Sequence, residues 1–249
     1  MRLHLPFARI LNDDRTIETP NPSSPHLGWL RDQPNGLCGH CPGRGRHTAK
    51  GRQKLVGVVL YPGFEVLDVF GPVEMWANVP DFKVVLIAQK LGPVKSAQGV
   101  SVVADFDFEA APALDIMMVP GGIGTYAELG NPVFLDFLRK QDQTTEFTTS
   151  VCTGSALLAK AGLLKGHRAT SNKKFFSLAV SQDSSVTWIK HARWVEDGKM
   201  LTSSGVSAGT DMALGLVARI YGKDRAHALA HVLEYQWNED PTQDPFAIQ

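Results

Sequence analysis

The chain reads as an α/β protein: a doubly wound, mostly parallel sheet flanked by helices. Three observations predict it. Continuous apolar runs of strand length, Leu55-Val-Gly-Val-Val-Leu-Tyr61 and Phe82-Lys-Val-Val-Leu-Ile-Ala88, suit strands buried on both faces. Stretches with apolar residues at helical spacing separate such runs, the alternation that builds parallel sheets. At Cys152 a β-favouring run meets a helix-favouring run with no loop between them.

In chain order, residues 1–53 are rich in Pro, Gly, Asn, Asp, Arg and His without a sustained period. They read as an irregular or disordered N-terminal extension, and residues 54–249 as the α/β domain. After the Leu55–Tyr61 strand, Val66–Trp76 has helical spacing, although Gly71-Pro72 should kink or restart that helix. Phe82–Ala88 is a second buried strand and Val100–Ala104 a third. Leu114–Pro120 is a fourth, running into Pro120-Gly121-Gly122-Ile123-Gly124. Asn131–Gln141 is helical. Further short strands are expected at Val186–Trp188, His191–Val195 and Met200–Ser203, with Asp197-Gly198 as a hairpin turn. Gly205–Asp211 leads into an apolar helix ending near Tyr221, and a last helix runs from Lys223 to about Gln236.

The segment Phe147-Thr-Thr-Ser-Val-Cys152-Thr-Gly154 has the layout of a nucleophile elbow, a strand turning sharply into a helix with one side chain raised above the sheet edge. A thiol at a helix N-terminus faces unpaired N–H groups that favour the reactive thiolate. A buried structural cysteine is the bland alternative, and the strand–Cys–helix context outweighs it. Ligands in open α/β sheets bind beyond the C-terminal strand ends. There Cys152, Gly121-Gly122 and the segment after Tyr61 should converge.

Lys plus Arg and Asp plus Glu number 25 each, so the chain carries no net charge and no basic surface for nucleic acid or an anionic membrane. No apolar run reaches bilayer length, and the start Met-Arg-Leu-His-Leu-Pro lacks a signal-peptide core. Three cysteines, an odd number, argue against a disulfide framework and for a reducing, cytoplasmic setting. Cys38-Gly-His-Cys41 copies a redox tetrapeptide, and with His40 and His47 has the makings of a zinc site. It lies among turn residues without a second well-spaced pair, so it reads as incidental.

Several pieces together resemble the PfpI-type branch of the class I glutamine amidotransferase-like superfamily, a flavodoxin-like fold, and within it the isonitrile (isocyanide) hydratases. They are Leu60-Tyr-Pro-Gly-Phe-Glu-Val-Leu-Asp68-Val-Phe-Gly-Pro-Val-Glu74, Val119-Pro-Gly-Gly122, Val151-Cys-Thr-Gly-Ser155, Ala161 to Thr170, Gly205 to Asp211, and the tail from Glu234 through Asp244-Pro-Phe. The resemblance covers residues 55–247. It implies hydration of an isonitrile to an N-substituted formamide, with Cys152 as nucleophile and Asp68 as general acid and base. It implies a small-molecule substrate, no metal or organic cofactor, and a homodimer; a detoxifying or secondary-metabolic role would follow from the chemistry.

Glu65, three residues before Asp68, competes as the acid because the two would share a face on a continuous helix. Backbone N–H groups of Gly122 and Thr153, with Gly121-Gly122 allowing close approach, are candidates to hold negative charge or substrate. An apolar or aromatic substrate fits Phe64, Phe70, Trp76, Tyr126 and Trp237, each of which equally suits a core.

The chain departs from the amidotransferase pattern after Ala169-Thr170, where Asn172 stands in place of the expected histidine. A Cys–His triad is therefore not expected; His167, His191, His227 and His231 are poorly placed for it. Lys173 is a candidate to alter the pocket's charge. Two other readings compete: glyoxalase- or deglycase-like chemistry on reactive carbonyls, and a redox- or ligand-sensing domain, since similar patterns occur in domains fused to transcriptional regulators. No helix-turn-helix segment follows Gln249, which speaks against direct DNA regulation.

Overall fold

A computed structural model describes residues 52–249. The expected extension, apart from its last residues, and the Cys38, His40, Cys41 and His47 group lie outside them. In chain order the elements are β1 (Lys54–Leu60), α1 (Val66–Ala77), β2 (Phe82–Ala88), β3 (Pro93–Lys95), β4 (Ser101–Val103), β5 (Phe106–Asp107) and β6 (Ile116–Val119). There follow α2 (Thr125–Glu128), α3 (Pro132–Asp142), β7 (Phe147–Ser150), α4 (Gly154–Lys160), β8 (Arg168–Ala169), α5 (Phe176–Val180) and β9 (Thr187–Trp188). The chain continues through β10 (Trp194–Asp197), β11 (Met200–Ser203), α6 (Ala208–Tyr221) and α7 (Lys223–Val232).

Seven strands form the main sheet in the order β10-β11-β7-β6-β1-β2-β5. All neighbours are parallel except β10 and β11, joined as an antiparallel hairpin through Gly198-Lys199. The central strands are buried on both faces: Val56, Val58, Val59 and Ile116 through Val119 are fully covered. That is why they read as unbroken apolar runs. Helices flank the sheet, with α1, α6 and α7 packed on one another and α2, α3 and α5 around α4.

Two expectations need correction. Val100–Ala104 is no buried strand of the main sheet: Ser101–Val103 pairs antiparallel with Pro93–Lys95 in a separate hairpin, and Val103 is 66% exposed. Phe106-Asp107 takes the sheet edge beside β2 instead. Three valine-rich residues specify extended backbone, not the partner. Second, of the two expected outcomes at Gly71-Pro72, a restart does not occur: α1 runs as one helix of 12 residues with Pro72 inside it. A Cβ on Gly71 would stand 2.3 Å from Thr210 Oγ1, so this glycine sets how closely α1 approaches α6. Among the described residues no helix is long and apolar enough to cross a membrane.

Candidate active site

The three central parallel strands β7, β6 and β1 end side by side, and the loops that leave them meet as the sequence predicts. Phe64 bridges to Gly122, and the Glu65 N–H donates to the Gly121 carbonyl at 2.8 Å. Gly122 has φ 135°, and a Cβ there would lie 2.3 Å from the Gly63 carbonyl oxygen; only glycine lets the two loops touch.

Cys152 leaves β7 through a left-handed backbone, φ 59°, the strained geometry of an elbow. Its N–H donates to the Ser204 carbonyl, and its own carbonyl accepts from the Ser155 and Ser171 hydroxyls, both at 3.1 Å. The sulfur accepts from Asn172 Nδ2 at 3.1 Å. Asn172 Oδ1 in turn accepts the Lys174 and Phe175 N–H groups, which fixes the orientation of the amide. The position that lacks the expected histidine thus still touches the thiol, as a donor with no proton to accept.

Asp68 lies in the first turn of α1 and is fully buried. Its Oδ2 accepts the Gly121 N–H at 2.8 Å, while Oδ1 has no hydrogen-bond partner among the described residues. Burial pushes its carboxyl up to about 8 against the opposing Gly121 bond, so the group holds its proton at neutral pH. The neighbouring thiol is also pushed up, first by burial and then by the Asp68 carboxylate. The N–H groups of Thr153 and Val206 and the Asn172 amide oppose that rise without cancelling it. Burial thus works against the thiolate that the helix N-terminus favours, and α4, with seven residues, is a short helix.

The glycine amides already have partners. Gly121 donates to Asp68, and Gly122, which lines the cleft, donates to Thr153 Oγ1 at 3.1 Å. Tyr61 OH lies 2.7 Å from the Pro120 carbonyl, 3.0 Å from Thr125 Oγ1, and Thr125 Oγ1 lies 2.8 Å from Thr153 Oγ1. Because the carbonyl can only accept, Tyr61 donates to it, Thr125 donates to Tyr61, and Thr153 donates to Thr125. The Thr153 hydroxyl proton points away from the sulfur, and its backbone N–H, with that of Val206, is what remains near the thiol. Val206, at φ 46°, is a β-branched residue in a region that rarely admits one, and its N–H acts on both Cys152 and Asp68. Sequence reasoning missed it; its place in the Gly205-Val-Ser-Ala-Gly turn was the available signal.

A cleft of about 220 Å³ opens over the sulfur, with Glu65, Ile123, Tyr126, Asn172 and Phe175 among its walls. Glu65 is the N-cap residue of α1 rather than a member of its helical face, and Gln98 Nε2 reaches both its carboxylate oxygens at 2.8 Å. Of the aromatic residues expected near a substrate, only Tyr126 lines this cleft. Phe64 and Trp76 are core, Phe70 is on the outer face of α1, and Trp237 donates to the Asp211 carbonyl. Phe175 joins Tyr126 instead. Lys173 does not enter the cleft: its buried ammonium donates to Thr170 Oγ1 and the Ala192 carbonyl, both at 2.7 Å, and pairs with Asp244 at 3.5 Å. None of the four histidines lines the cleft; His167 pairs with Asp197 and His227 with Glu239. Among the described residues no group of three His, Cys, Asp or Glu is arranged for a metal ion.

Residues 54–219 match the DJ-1/PfpI family, and the chain belongs to it. It is 37% identical to the isonitrile hydratase of Pseudomonas putida over 180 residues, 72% of this chain and 78% of that one. It is 30% identical to the HTH-type transcriptional regulator CdhR of Pseudomonas aeruginosa over 173 residues, 68% of this chain and 51% of that one. A THiJ/PfpI family protein from Pseudomonas syringae superposes with a TM-score of 0.69 at 31% identity, covering 79% of this chain and 82% of its own.

Proposed function

We propose, from membership of the DJ-1/PfpI family and from the geometry at Cys152, that the chain adds water to the carbon of an isonitrile and releases the N-substituted formamide. The likeness to an isonitrile hydratase supports this reading, and one observation carries it. Asp68 is a buried carboxylic acid with one unpaired oxygen, beside the free cysteine of the described residues and under an apolar cleft.

Asp68 donates its proton to the isonitrile carbon, which becomes electrophilic, and the Cys152 sulfur bonds to that carbon. The thiol proton passes to the Asp68 carboxylate, leaving a thioimidate and a restored acid. Water then adds across the C=N bond, hydroxyl to carbon and proton to nitrogen, with Asp68 relaying the proton. The C–S bond breaks, the hydroxyl proton returns to sulfur, and the formamide leaves. Asn172 fits this scheme because it steadies the sulfur while the carboxyl group moves every proton. The N–H groups of Thr153 and Val206 hold charge that develops at sulfur.

The test is formamide formation from aryl and alkyl isonitriles. Turnover should fall by at least about a hundredfold in Cys152→Ala and in Asp68→Asn, with folding intact. A folded wild type that consumes methylglyoxal but no isonitrile would move the assignment to carbonyl chemistry. Ligand binding without turnover would favour a sensing role. A cytoplasmic homodimer is part of the same reading; Leu67 and Phe70 leave apolar surface on α1, and sedimentation analysis checks the stoichiometry.

A further inference from the structure

The cleft over Cys152 has mostly apolar walls, with Asn172 and Thr153 as neutral polar residues and Glu65 as its one acidic residue. Ile123, Tyr126 and Phe175 form its rim, 66%, 53% and 39% exposed, and no Lys, Arg or His is among its walls. Glu65 stands there with its backbone tied to Gly121 and its carboxylate held from one side by Gln98. Gln98 is itself fixed, since its Oε1 accepts the Val66 N–H at 3.1 Å. A carboxylate has room for about four hydrogen bonds, so lone pairs remain for an incoming donor. Next to the rim, the Lys174 ammonium sits 5.6 Å from the centroid of the Phe175 ring.

We propose that Glu65 is a specificity-determining residue, which makes the cleft accept neutral or cationic substituents on an apolar body and reject those bearing a carboxylate or sulfonate. A substituent reaching Cys152 must pass the rim with its apolar part against Ile123, Tyr126 and Phe175. Its far end then lies at the mouth beside the Glu65 carboxylate, where unlike charges attract and like charges repel. A positive or hydrogen-bond-donating end meets the free lone pairs of Glu65. A negative end meets a fixed like charge, and the walls hold no basic side chain. The nearby Lys174 ammonium lies over the Phe175 ring, which is why Lys174 enters the test. The inference rests on the hydratase reading only in taking Cys152 as the atom that substrate must reach.

Its test needs no hydratase chemistry. At pH 7, the full chain is treated with 2-aminoethyl, 2-hydroxyethyl and 2-carboxyethyl methanethiosulfonate, which transfer a small thiol as a mixed disulfide and release methanesulfinate. Modification is followed at the Cys152 peptide by mass spectrometry, so that Cys38 and Cys41 do not contribute. Relative to free cysteine, the amino probe should outpace the carboxy probe by about tenfold, with the hydroxy probe between them. Glu65→Gln should bring the ratio back to that of free cysteine, and Lys174→Met should preserve or raise it. A carboxy probe as fast as the amino probe, a ratio unchanged in Glu65→Gln, or a ratio lost in Lys174→Met overturns the proposal. Matched isonitriles with ammonium and carboxylate ends then extend the test to turnover. If no isonitrile turns over while the probe ratio holds, the hydratase reading fails and the charge selection stands; the reverse result separates them the other way.

Discussion

Asp68 and Asp211 are the same residue type in the same place, the first turn of two helices, α1 and α6, that pack against each other. Both are buried, 0% and 1% exposed. Their neighbours differ. Asp211 is saturated: Oδ2 accepts from Arg193 Nε at 2.7 Å, and Oδ1 accepts from Tyr235 OH and the Asn238 N–H at 3.0 Å each. It ties the chain after α7 back onto α6. Asp68 has the Gly121 N–H at 2.8 Å, weaker help from the Cys152 thiol and the Val206 N–H, an oxygen outside hydrogen-bond geometry and no cation. Burial by itself therefore does not mark a functional carboxylate; burial without enough partners does, because the desolvation it leaves uncompensated is what keeps the proton on.

The same substitution at both positions sharpens this contrast. Asp68→Asn should lower turnover by about a hundredfold to ten-thousandfold while leaving the urea midpoint unchanged or higher. Equal losses of stability at the two sites would break the comparison. Asp211→Asn should instead cost about 3–5 kcal/mol of stability, because it strands the buried Arg193 guanidinium. Equilibrium unfolding measures it, and a loss below about 1 kcal/mol would place Asp211 among the unsaturated carboxylates.

A pH series separates the two further. Folded Asp68 keeps its proton up to about 8 whereas its ordinary value is 3.8, so above 3.8 the unfolded chain releases a proton that the folded chain retains. The stability tied to this group is present in acid and is lost as pH rises toward about 8. Unfolding midpoints should fall across that window in wild type and fall less in Asp68→Asn. Turnover should decline above the same pH as the acid form disappears. The smallest effect is expected at Tyr61→Phe, about 1 kcal/mol, since it removes one end of the Tyr61–Thr125–Thr153 relay but no charge. A turnover loss comparable to Asp68→Asn would mean that the relay, and not Asp68, governs the site.

Much of the frame was legible from residue order. β1, β2, α3 and α6 follow from unbroken apolar runs or helical spacing, and the elbow at Cys152 from a strand and a helix with nothing between them. The failures share a cause. Ser101–Val103 carries the right residues for a strand but no information on which strand it joins. Pro72 lies inside a helix that continues through it. The partners of the Gly121 and Gly122 amides, Asp68 and Thr153, are likewise set in space and not along the chain.

Asn172 was noticed as a missing histidine, and its contact with the sulfur was not. Val206 had only its place in a glycine-flanked turn to mark it. Phe175 in the cleft and the Lys173–Asp244 pair were out of reach, because each depends on segments far apart in the chain. The sequence by itself determined the alternation of strands and helices, the position of the thiol at a strand end, and the residues that carry the family resemblance, all of which depend on neighbours along the chain. Tertiary structure alone decided the protonation of Asp68 and Cys152, the donors left free around the sulfur, and the single acidic residue in the cleft wall. Those depend on dielectric and hydrogen-bond partners, and both exist only once the loops after β1, β6 and β7 have closed on one another.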